Sequence, residues 1–281
     1  MRVDELVAAG LTRSFEFFPP KSDEERLVLE TTLVELEELA PSFVSVTYRG
    51  GAASRQRTFD LVTSIEAKGL TAMAHLICVG HGRAEMRGLL ARYAEAGVEN
   101  VMALGGDTPG GAAPTGELRH ASDLVELVRE AGPFCVGVGA HPQGHPRSPD
   151  RASDRRRLAE KLRLADFAVT QFFFEPEEWT RLVLELAELG VDKPVLAGIM
   201  PVTTLSGVAR MAEMGAGVPD WLVERLEAGH HRGGPGAVRA EGVAAATELC
   251  EALLEAGVPG LHFYTLNRSS ATREIHRALF S

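Results

Sequence analysis

The sequence predicts an α/β fold, a single (βα)8 barrel of the TIM type that spans residues 1–281. Three observations lead to this expectation. Short apolar, β-branched runs recur along the chain, amphipathic helical stretches separate them, and the repeat is roughly 30 residues, the length of one βα unit. The length of 281 residues also suits such a barrel, which typically needs about 250.

Eight apolar runs are predicted to be the strands. Continuous apolar runs, unlike alternating ones, are typical of parallel strands that are covered on both faces. Eight parallel strands can close on themselves and so remove their exposed edges, which favours a barrel. The predicted strands are 13–18, 43–48, 70–77, 100–104, 134–140, 168–174, 194–199 and 260–266.

The segments between the strands carry apolar residues at helical spacing and end near Gly, Pro or a polar turn. The stretch 200–258 departs from the simple repeat, because it is long enough for at least two helices before the last strand. Within it, GHHRGGPG (229–236) is expected to be a flexible connecting loop. The Gly- and Pro-rich tract 105–117 is expected to be a long loop on the active face.

An open, doubly wound sheet is the competing architecture. Such a sheet would bind a dinucleotide through a G-x-G-x-x-G turn after an early strand. The segment GVGAHPQG (137–144) has two glycines in phase, but Pro142 stands where the third is needed and no helix is predicted to begin there. The sequence therefore favours the closed barrel.

Composition excludes several classes of protein. Hydrophobic residues make up 45% and charged residues 24%, which indicates a globular chain. The formal net charge of −10 argues against nucleic acid as the main partner, because binding phosphates needs a basic face. A local basic run is interrupted by Asp150 and Asp154, and a solvated helix face is favoured over an anion site for it. The run consists of Arg147, Arg151, Arg155, Arg156 and Arg157.

Cys78, Cys135 and Cys250 are an odd number without C-x-x-C spacing, so neither a disulfide framework nor a zinc site is expected. Cys135 lies in an apolar run and is predicted to be a core residue. The amino terminus lacks the apolar region of a signal peptide, and no apolar run approaches the ~20 residues of a membrane span. We therefore expect a cytoplasmic protein without a membrane partner.

Polar residues in or just after the apolar strands are the candidates for chemistry, because active sites of these barrels lie at the carboxyl ends of the strands. Each candidate alone has a structural explanation, such as a hydrogen-bonded core histidine or a tyrosine that fills space. Their convergence from seven of the eight units is harder to explain by packing. The candidates are Glu16, Thr47, His75, Asp107, His141, Gln171 and Tyr264.

Glu16 is the sharpest candidate, in the sequence S-F-E-F-F-P-P-K. Aromatic neighbours on both sides are expected to remove water from the carboxylate and raise its pKa. A carboxyl that keeps its proton near neutral pH can act as a general acid. The structural alternative is a salt bridge to a cation inside the barrel, although no strand offers an obvious Lys or Arg.

Metal and nucleophile constellations are not predicted. His141 and His145 are four residues apart, but Pro142 and Pro146 prevent a helix that would place both on one face. His230 and His231 lie in a glycine-rich segment, and no Ser-His-Asp or Cys-His pattern is evident. General acid chemistry with a bound organic cofactor remains.

Eight motifs along the chain carry a family resemblance. They are S-F-E-F-F-P-P-K (14–21), F-V-S-V-T-Y (43–48), A-H-L (74–76), G-D-x-P (106–109), H-P-x-x-H-P (141–146), T-Q-F-F-F (170–174), G-I-M-P-V (198–202) and H-F-Y-T-L-N-R (262–268). In their order and over nearly the whole chain, these motifs resemble the bacterial type of methylenetetrahydrofolate reductase. The first, sixth and last motifs are the most specific.

The resemblance implies a reduction of 5,10-methylenetetrahydrofolate to 5-methyltetrahydrofolate by NADH or NADPH through FAD, with ping-pong kinetics. Glu16 matches the acid that protonates N10 of the folate, and Asp107 matches a residue between the pterin and the flavin. The implied folate-binding residues are Gln171, Tyr264, Arg268 and Leu205. The implied cofactor-binding residues are Thr47, His75, Gly106, Asp107, His141, His145, Asp154 and Lys161.

The sequence departs from the family pattern on the flavin side. Gly105 replaces an arginine before Gly106-Asp107, Ile77 replaces a threonine, and His141 replaces an aromatic residue. Leu205 stands where an aromatic residue can pack on nicotinamide or folate. We therefore expect FAD to bind more weakly than is typical. Relatives that pass hydride from nicotinamide to folate without flavin are the alternative.

Two further alternatives differ in class. A pteridine-dependent methyltransferase barrel shares the fold and substrate class, but it needs an acceptor site, and no zinc–thiolate cluster is predicted. A folate-binding subunit would have no use for a proton donor such as Glu16. The expected partners are small molecules, a folate and a nicotinamide, and the sequence leaves open a homo-oligomer.

Overall fold

The computed structural model describes residues 1–48, 52–106, 116–213 and 217–280. Within these ranges, eight parallel strands hydrogen-bond in sequence order and close into a barrel, with the last strand beside the first. The predicted (βα)8 architecture is confirmed. The strands are β1 Thr12–Phe17, β2 Phe43–Val46, β3 Ala72–Ile77, β4 Asn100–Leu104, β5 Cys135–Ala140, β6 Phe167–Thr170, β7 Val195–Ile199 and β8 Gly260–Tyr264.

A helix follows each strand, and β7 is followed by two, as the length of that connection predicted. One short helix, α1, precedes β1 and was not predicted from the sequence. The helices are α1 Val3–Ala9, α2 Asp23–Glu37, α3 Ala52–Ala67, α4 Arg83–Glu95, α5 Ala121–Ala131, α6 Arg151–Leu164, α7 Pro176–Glu188, α8 Leu205–Glu213, α9 Asp220–Glu255 and α10 Ser270–Phe280.

Side chains that point out of the strands pack against the surrounding helices. Phe15 and Phe17 of β1 lie in this layer together with Leu29 and Leu36 of α2. All four side chains are almost fully buried. Because successive strand residues point to opposite faces, Ser14 and Glu16 point into the barrel.

Apolar side chains fill the amino-terminal end of the barrel interior. We call this cluster the floor; it consists of Val3, Val7, Phe43, Met73, Met102, Cys135, Phe167, Val169 and Leu196. The helix α1 supplies the first two and so closes the barrel from below. The backbone N–H of Val3 donates to Asn100 Oδ1 at 2.8 Å, which fixes this helix to β4. Cys135 is fully buried here, as predicted.

Two glycines make room for rings inside the barrel. A Cβ at Gly137 would lie 2.7 Å from the Phe167 ring of the floor. A Cβ at Gly198 would lie 2.2 Å from the backbone oxygen of Thr170 and 2.7 Å from the Tyr264 ring. A side chain at either position would therefore displace a neighbouring aromatic residue.

The segment 229–236 is not the loop that the sequence predicted. It lies inside α9, where Gly233 and Gly234 have non-helical backbone angles and mark a kink between two helical halves. Pro235 opens the second half, a position at which its missing N–H costs nothing. The second half packs so closely on the chain after β7 that a Cβ at Gly242 would lie 1.8 Å from Val202 O. The glycines and the proline predicted a loop, but the segment is helical apart from the kink at Gly233 and Gly234.

Among the described residues, no helix combines the length and the apolar composition that crossing a membrane requires.

Candidate active site at the mouth of the barrel

Glu16 lies near the carboxyl end of β1, and its side chain is largely buried in the open end of the barrel, which we call the mouth. Its Oε2 atom is 3.5 Å from Nε2 of His75 on β3 and 3.6 Å from Nε2 of His262 on β8. The backbone oxygen of Glu16 accepts a hydrogen bond of 2.6 Å from Thr265 Oγ1. The carboxylate therefore lies beside two imidazoles, one from the adjacent strand β8 and one from β3.

The flanking phenylalanines do not surround this carboxylate, contrary to the expectation from the sequence. Phe15 and Phe17 belong to the layer between barrel and helices, because strand residues alternate between faces. The aromatic groups near Glu16 come instead from β3 and β8. Burial of the carboxylate thus results from tertiary packing and not from its sequence neighbours.

His75 is a neutral imidazole at physiological pH. Burial lowers its pKa, and the charge of Glu16 opposes this effect while His262 adds to it. Its Nε2 atom is buried without a hydrogen bond in the described part of the chain. Leaving a buried polar atom without a hydrogen bond costs folding free energy. Such an atom is therefore a candidate for contact with a ligand.

His262 is a site residue that the sequence analysis did not single out, although it lay within the motif 262–268. It is 1% exposed, and its Nδ1 atom lies 2.7 Å from Ser14 Oγ. Position 262 is two residues before Tyr264, so both side chains point inward from β8. That parity was the available signal.

Tyr264 crosses the mouth, and its hydroxyl donates to the backbone oxygen of Thr170 at 2.6 Å. Burial raises its pKa well above the ordinary value, and the charge of Glu16 contributes in the same direction. The hydroxyl is therefore a hydrogen-bond donor that does not ionise at neutral pH. Gly198 provides the space for its ring.

Thr47 and Gln171 lie directly after β2 and β6, on the rim of the mouth. The backbone N–H of Thr47 donates to Phe17 O at 2.9 Å, and that of Gln171 donates to Ala140 O at 2.7 Å. The Gln171 side chain is partly exposed, and its Oε1 accepts from the N–H of Phe172 at 3.1 Å. Both backbones are thus held by the neighbouring strands.

The other predicted cofactor residues form a second group at the ends of β5 and α6. The rings of His141 and His145 are 4.5 Å apart, edge to face. Burial, and then the nearby His145, lowers the pKa of His141 to about 4. Lys161 donates to Gly139 O at 3.2 Å, and burial lowers its pKa while Asp154 opposes this.

Arg155 was expected on a solvated helix face, and this prediction is wrong. Its guanidinium is 3% exposed, bonds to Asp154 and Glu185, and donates to the backbone oxygens of His141 and Pro142. A desolvated guanidinium that donates to four acceptors has a structural role. It holds the segment after β5 against α6 and α7.

Gly106 ends the described part of the chain after β4, and Asp107 lies outside the described residues, as does most of the predicted loop 105–117. Gly106 has a positive φ of 80°, and a Cβ there would lie 3.2 Å from the Ile77 side chain. Its backbone oxygen accepts from Arg147 at 3.3 Å.

Leu205 and Arg268 lie further out on the rim. Leu205 begins α8 and packs on a cluster that includes Phe172 and Met200. It also lines a cavity of about 420 Å³ between α8 and the kink of α9. Arg268 is exposed, and its backbone N–H donates to the backbone oxygen of Thr265 at 2.9 Å.

Asn267 is a second residue that the sequence analysis missed. Its φ is 58°, a left-handed conformation that Asn tolerates, and its side-chain amide bridges the backbone N–H and C=O of Phe18. These two hydrogen bonds tie the end of β8 to the end of β1. They hold the backbone that carries Glu16.

At the opposite end of the barrel, the described residues include three possible metal ligands whose ligand atoms lie within 4.8 Å of one another. They are Asp4, Cys135 and Asp166. The two carboxylates are engaged by Arg2 and Arg129. Burial raises the pKa of the Cys135 thiol, which keeps it protonated. This group is an ion-pair cluster beneath the floor.

Comparison with known proteins identifies the relatives of this chain. Residues 2–279 match the family described as methylenetetrahydrofolate reductase. The 5,10-methylenetetrahydrofolate reductase of Pectobacterium carotovorum is 34% identical over 270 residues, 95% of this chain and 89% of that protein. The Escherichia coli K12 enzyme of the same name is 32% identical over 276 residues, 97% of this chain and 92% of that one.

A solved structure with a similar fold is an uncharacterised protein from Clostridium thermocellum, which is described as binding two copies of 5-methyl-5,6,7,8-tetrahydrofolic acid. The TM-score is 0.70 at 14% identity, over 98% of this chain and 96% of that one. At this identity the likeness establishes the barrel fold.

Proposed function

Since this chain belongs to the methylenetetrahydrofolate reductase family of oxidoreductases, we propose that it reduces 5,10-methylenetetrahydrofolate to 5-methyltetrahydrofolate with electrons from NADH or NADPH. We also propose that one barrel over residues 1–281 forms the catalytic unit. The observation that carries the proposal is the buried carboxyl of Glu16 at the mouth, opposite two imidazoles. The relatives' names supply the substrate, and the site supplies the acid that this reaction needs.

Glu16 acts as the general acid in this proposal. Transfer of its proton to N10 of the folate makes that nitrogen a leaving group, and the five-membered ring opens to an iminium at N5. A hydride then adds to the iminium carbon and completes the methyl group. A positioned acid typically contributes about 10² to 10⁴-fold to such a step.

The rim residues bind and orient the folate. Gln171 has an amide that can pair with the donor–acceptor edge of a pterin, and its backbone is fixed to Ala140. Tyr264 places a neutral hydroxyl beside Glu16, and Arg268 offers an exposed cation for a carboxylate. Leu205 adds an apolar surface next to the same mouth. The folate bound by the Clostridium thermocellum protein supports this assignment by analogy of fold.

FAD is the proposed cofactor, and the second group at the mouth fits it. Lys161 makes one hydrogen bond in the described chain, to Gly139, so the other donors of its ammonium suit a diphosphate. Thr47, His75, Gly106, His141 and His145 would line the ring system, while Asp154 stays near Lys161. When bound, FAD supplies two-electron transfer between the nicotinamide and the folate. We further propose that Asp107, which follows Gly106, orients the pterin.

The test is an assay of the purified protein with methylenetetrahydrofolate and NADH or NADPH, with and without added FAD. We expect oxidation of the nicotinamide, formation of 5-methyltetrahydrofolate, and a flavin spectrum that persists on dialysis only at protein concentrations above the FAD dissociation constant. Absence of product under all conditions would contradict the proposed reaction. Turnover by colourless protein that gains nothing from FAD would retain the reaction and replace the cofactor assignment by direct hydride transfer.

A further inference from the structure

His262 is the best-anchored polar side chain that faces Glu16. Its Nδ1 is 2.7 Å from Ser14 Oγ, its ring stacks on Phe43 at 6.0 Å between centroids, and Tyr264 packs against it edge to face at 5.3 Å. The ring is therefore fixed on three sides. His75, at a similar distance from Glu16, has a buried Nε2 without a hydrogen bond in the described chain.

The partners of His262 are compatible with a tautomer that carries its proton on Nδ1. The Ser14 hydroxyl can donate to Leu261 O at 3.4 Å, which leaves the Ser14 oxygen to accept from Nδ1–H. The opposite ring atom, Nε2, then presents a lone pair. Ser45 Oγ lies 3.5 Å from this atom and can donate to it, and Glu16 Oε2 lies 3.6 Å from it. In a neutral imidazole, one nitrogen donates and the other accepts.

We propose that His262, fixed by Ser14, is a positioning residue that accepts the carboxyl proton of Glu16 in a hydrogen bond and so holds the acid protonated and oriented for the folate. This inference deepens the proposed function and rests on it. A hydrogen bond made to the protonated form of a carboxyl favours that form. The present separation is 3.6 Å, and a small rotation of the Glu16 side chain would bring the two atoms to hydrogen-bond distance, as catalytic contacts often tighten when substrate binds.

Within the described ranges of the chain, the polar groups around this pair come from four strands. They are Glu16 and Ser14 on β1, Ser45 on β2, His75 on β3 and Tyr264 on β8. His75 is neutral because burial lowers its pKa, and Tyr264 is neutral because burial raises its pKa. With His75 and Tyr264 neutral, the atom that His262 presents to Glu16 bears directly on whether the carboxyl keeps its proton.

Two substitutions separate the roles of the ring nitrogens. His262→Asn keeps a polar atom near Nδ1 for Ser14 and removes the atom that faces Glu16. His262→Gln keeps a polar atom near Nε2, and its carbonyl oxygen can accept from Glu16. The matched control is His81→Asn, since His81 is a similarly buried histidine that bonds Tyr48 and Glu85.

The first measurement is the pH profile of kcat and KM for folate reduction. In His262→Asn we expect kcat to fall about 10- to 100-fold with a nearly unchanged folate KM, because a misplaced acid affects the chemical step. The alkaline limb of the profile, where activity falls as Glu16 loses its proton, should move to lower pH because the protonated carboxyl has lost its acceptor. His262→Gln should recover most of the loss, and Ser14→Ala should show a smaller change in the direction of the Asn variant. His81→Asn should leave the limb in place.

An alkaline limb that stays in place in His262→Asn would overturn the proposal, since the histidine would then only fill space. A limb that moves to higher pH would also overturn it, because His262 would then act as a cation or as a donor to ionised Glu16. Thermal unfolding by circular dichroism checks that each variant is folded. If His262→Asn fails to fold, the other two variants still test the proposal. It then requires an alkaline limb near the natural position in His262→Gln and a shift to lower pH in Ser14→Ala.

The second measurement does not depend on activity. The infrared band of the protonated Glu16 carboxyl, assigned by its absence in Glu16→Gln, is titrated in the protein without substrate. We expect the band to disappear at lower pH in His262→Asn than in the natural protein, and an unchanged titration would overturn the inference. If the natural protein does not reduce the folate at all, the proposed function fails while this titration still tests the pair.

Discussion

The two ends of the barrel interior differ in polarity: the floor is apolar and the mouth is polar. At the floor, Phe43, Met73 and Phe167 pack with α1 and exclude water. At the mouth, the same strands present Thr47, His75 and Gln171. Only a few residues separate the two sets along each strand, so one sheet provides both a dry support and a polar site. Because the two ends share few side chains, we expect substitutions at the floor to change stability and substitutions at the mouth to change chemistry.

Glu16→Gln should give the largest effect and should be confined to the mouth. The amide is nearly isosteric but has no carboxylic proton, so folate reduction should fall about 10² to 10⁴-fold. Any reduction of bound FAD by the nicotinamide should survive. Steady-state assays measure the first effect and stopped-flow absorbance the second. Glu85→Gln is the control, since Glu85 bonds His81 away from Glu16. Wild-type folate turnover would remove Glu16 from the acid role.

Phe167→Ala should lower the stability of the protein by disrupting packing in the floor, and it should leave the chemistry at the mouth unchanged. Phe167 is fully buried, and its ring fills the space left by Gly137. Removing such a ring typically costs about 3–5 kcal/mol of unfolding free energy. Denaturant titration measures the loss, and turnover per folded molecule should be close to that of the natural protein. A larger loss of kcat than of stability would show that the two ends are coupled.

Gln171→Ala should weaken folate binding without unfolding the rim. A buried pterin group left without its partner costs ~1–3 kcal/mol, roughly 5- to 150-fold in affinity. Calorimetric titration with the folate measures this. Gln143→Ala is the matched control, because Gln143 is an exposed glutamine after β5 that bonds Glu178. Equal affinities for the Gln171 variant and the natural protein would show that Gln171 only packs.

His141→Gln should change how the stability of the protein depends on pH. The folded pKa of about 4 lies below the ordinary value of 6.5, so the unfolded chain takes up the proton first as the pH falls. The contribution of neutral His141 is therefore present above pH 6.5 and is lost between 6.5 and 4. The variant should lose less stability over this interval, by on the order of 1–2 kcal/mol, because the ring is partly exposed. Urea unfolding at several pH values checks this, and parallel curves would contradict it.

The barrel could be predicted from the sequence because its signals are local and repeated. Apolar β-branched runs and helical periodicity do not depend on distant contacts, and β4 Asn100–Leu104 matches the prediction to the residue. Several predicted strands extend past the observed ends, as at 168–174 against Phe167–Thr170. The Gln171 backbone N–H makes one more hydrogen bond to β5, and the chain then turns over the rim, so residues 171–174 lie outside the strand.

The helix α9 and the floor show the opposite case. The Gly-Gly-Pro sequence at 233–235 predicts a break, and it does produce a kink, but both halves are helical and the second half packs closely on Val202. The seven residues of α1 carry too weak a pattern to be predicted alone. Contacts with the barrel end stabilise this helix, and those contacts exist only in the folded chain.

The sequence alone predicted the eight-stranded barrel, the candidacy of Glu16, His75 and Tyr264 as site residues, and the family resemblance; the structure confirms the barrel and the comparisons confirm the family. What each of these side chains faces depends on contacts that form only when the chain folds. Phe15 and Phe17 turn away from Glu16, while His262, from the other end of the chain, approaches it. The physical reason is that side-chain direction alternates along a strand and is therefore local, whereas closure of the barrel brings β1 beside β8 and sets the environment of the acid.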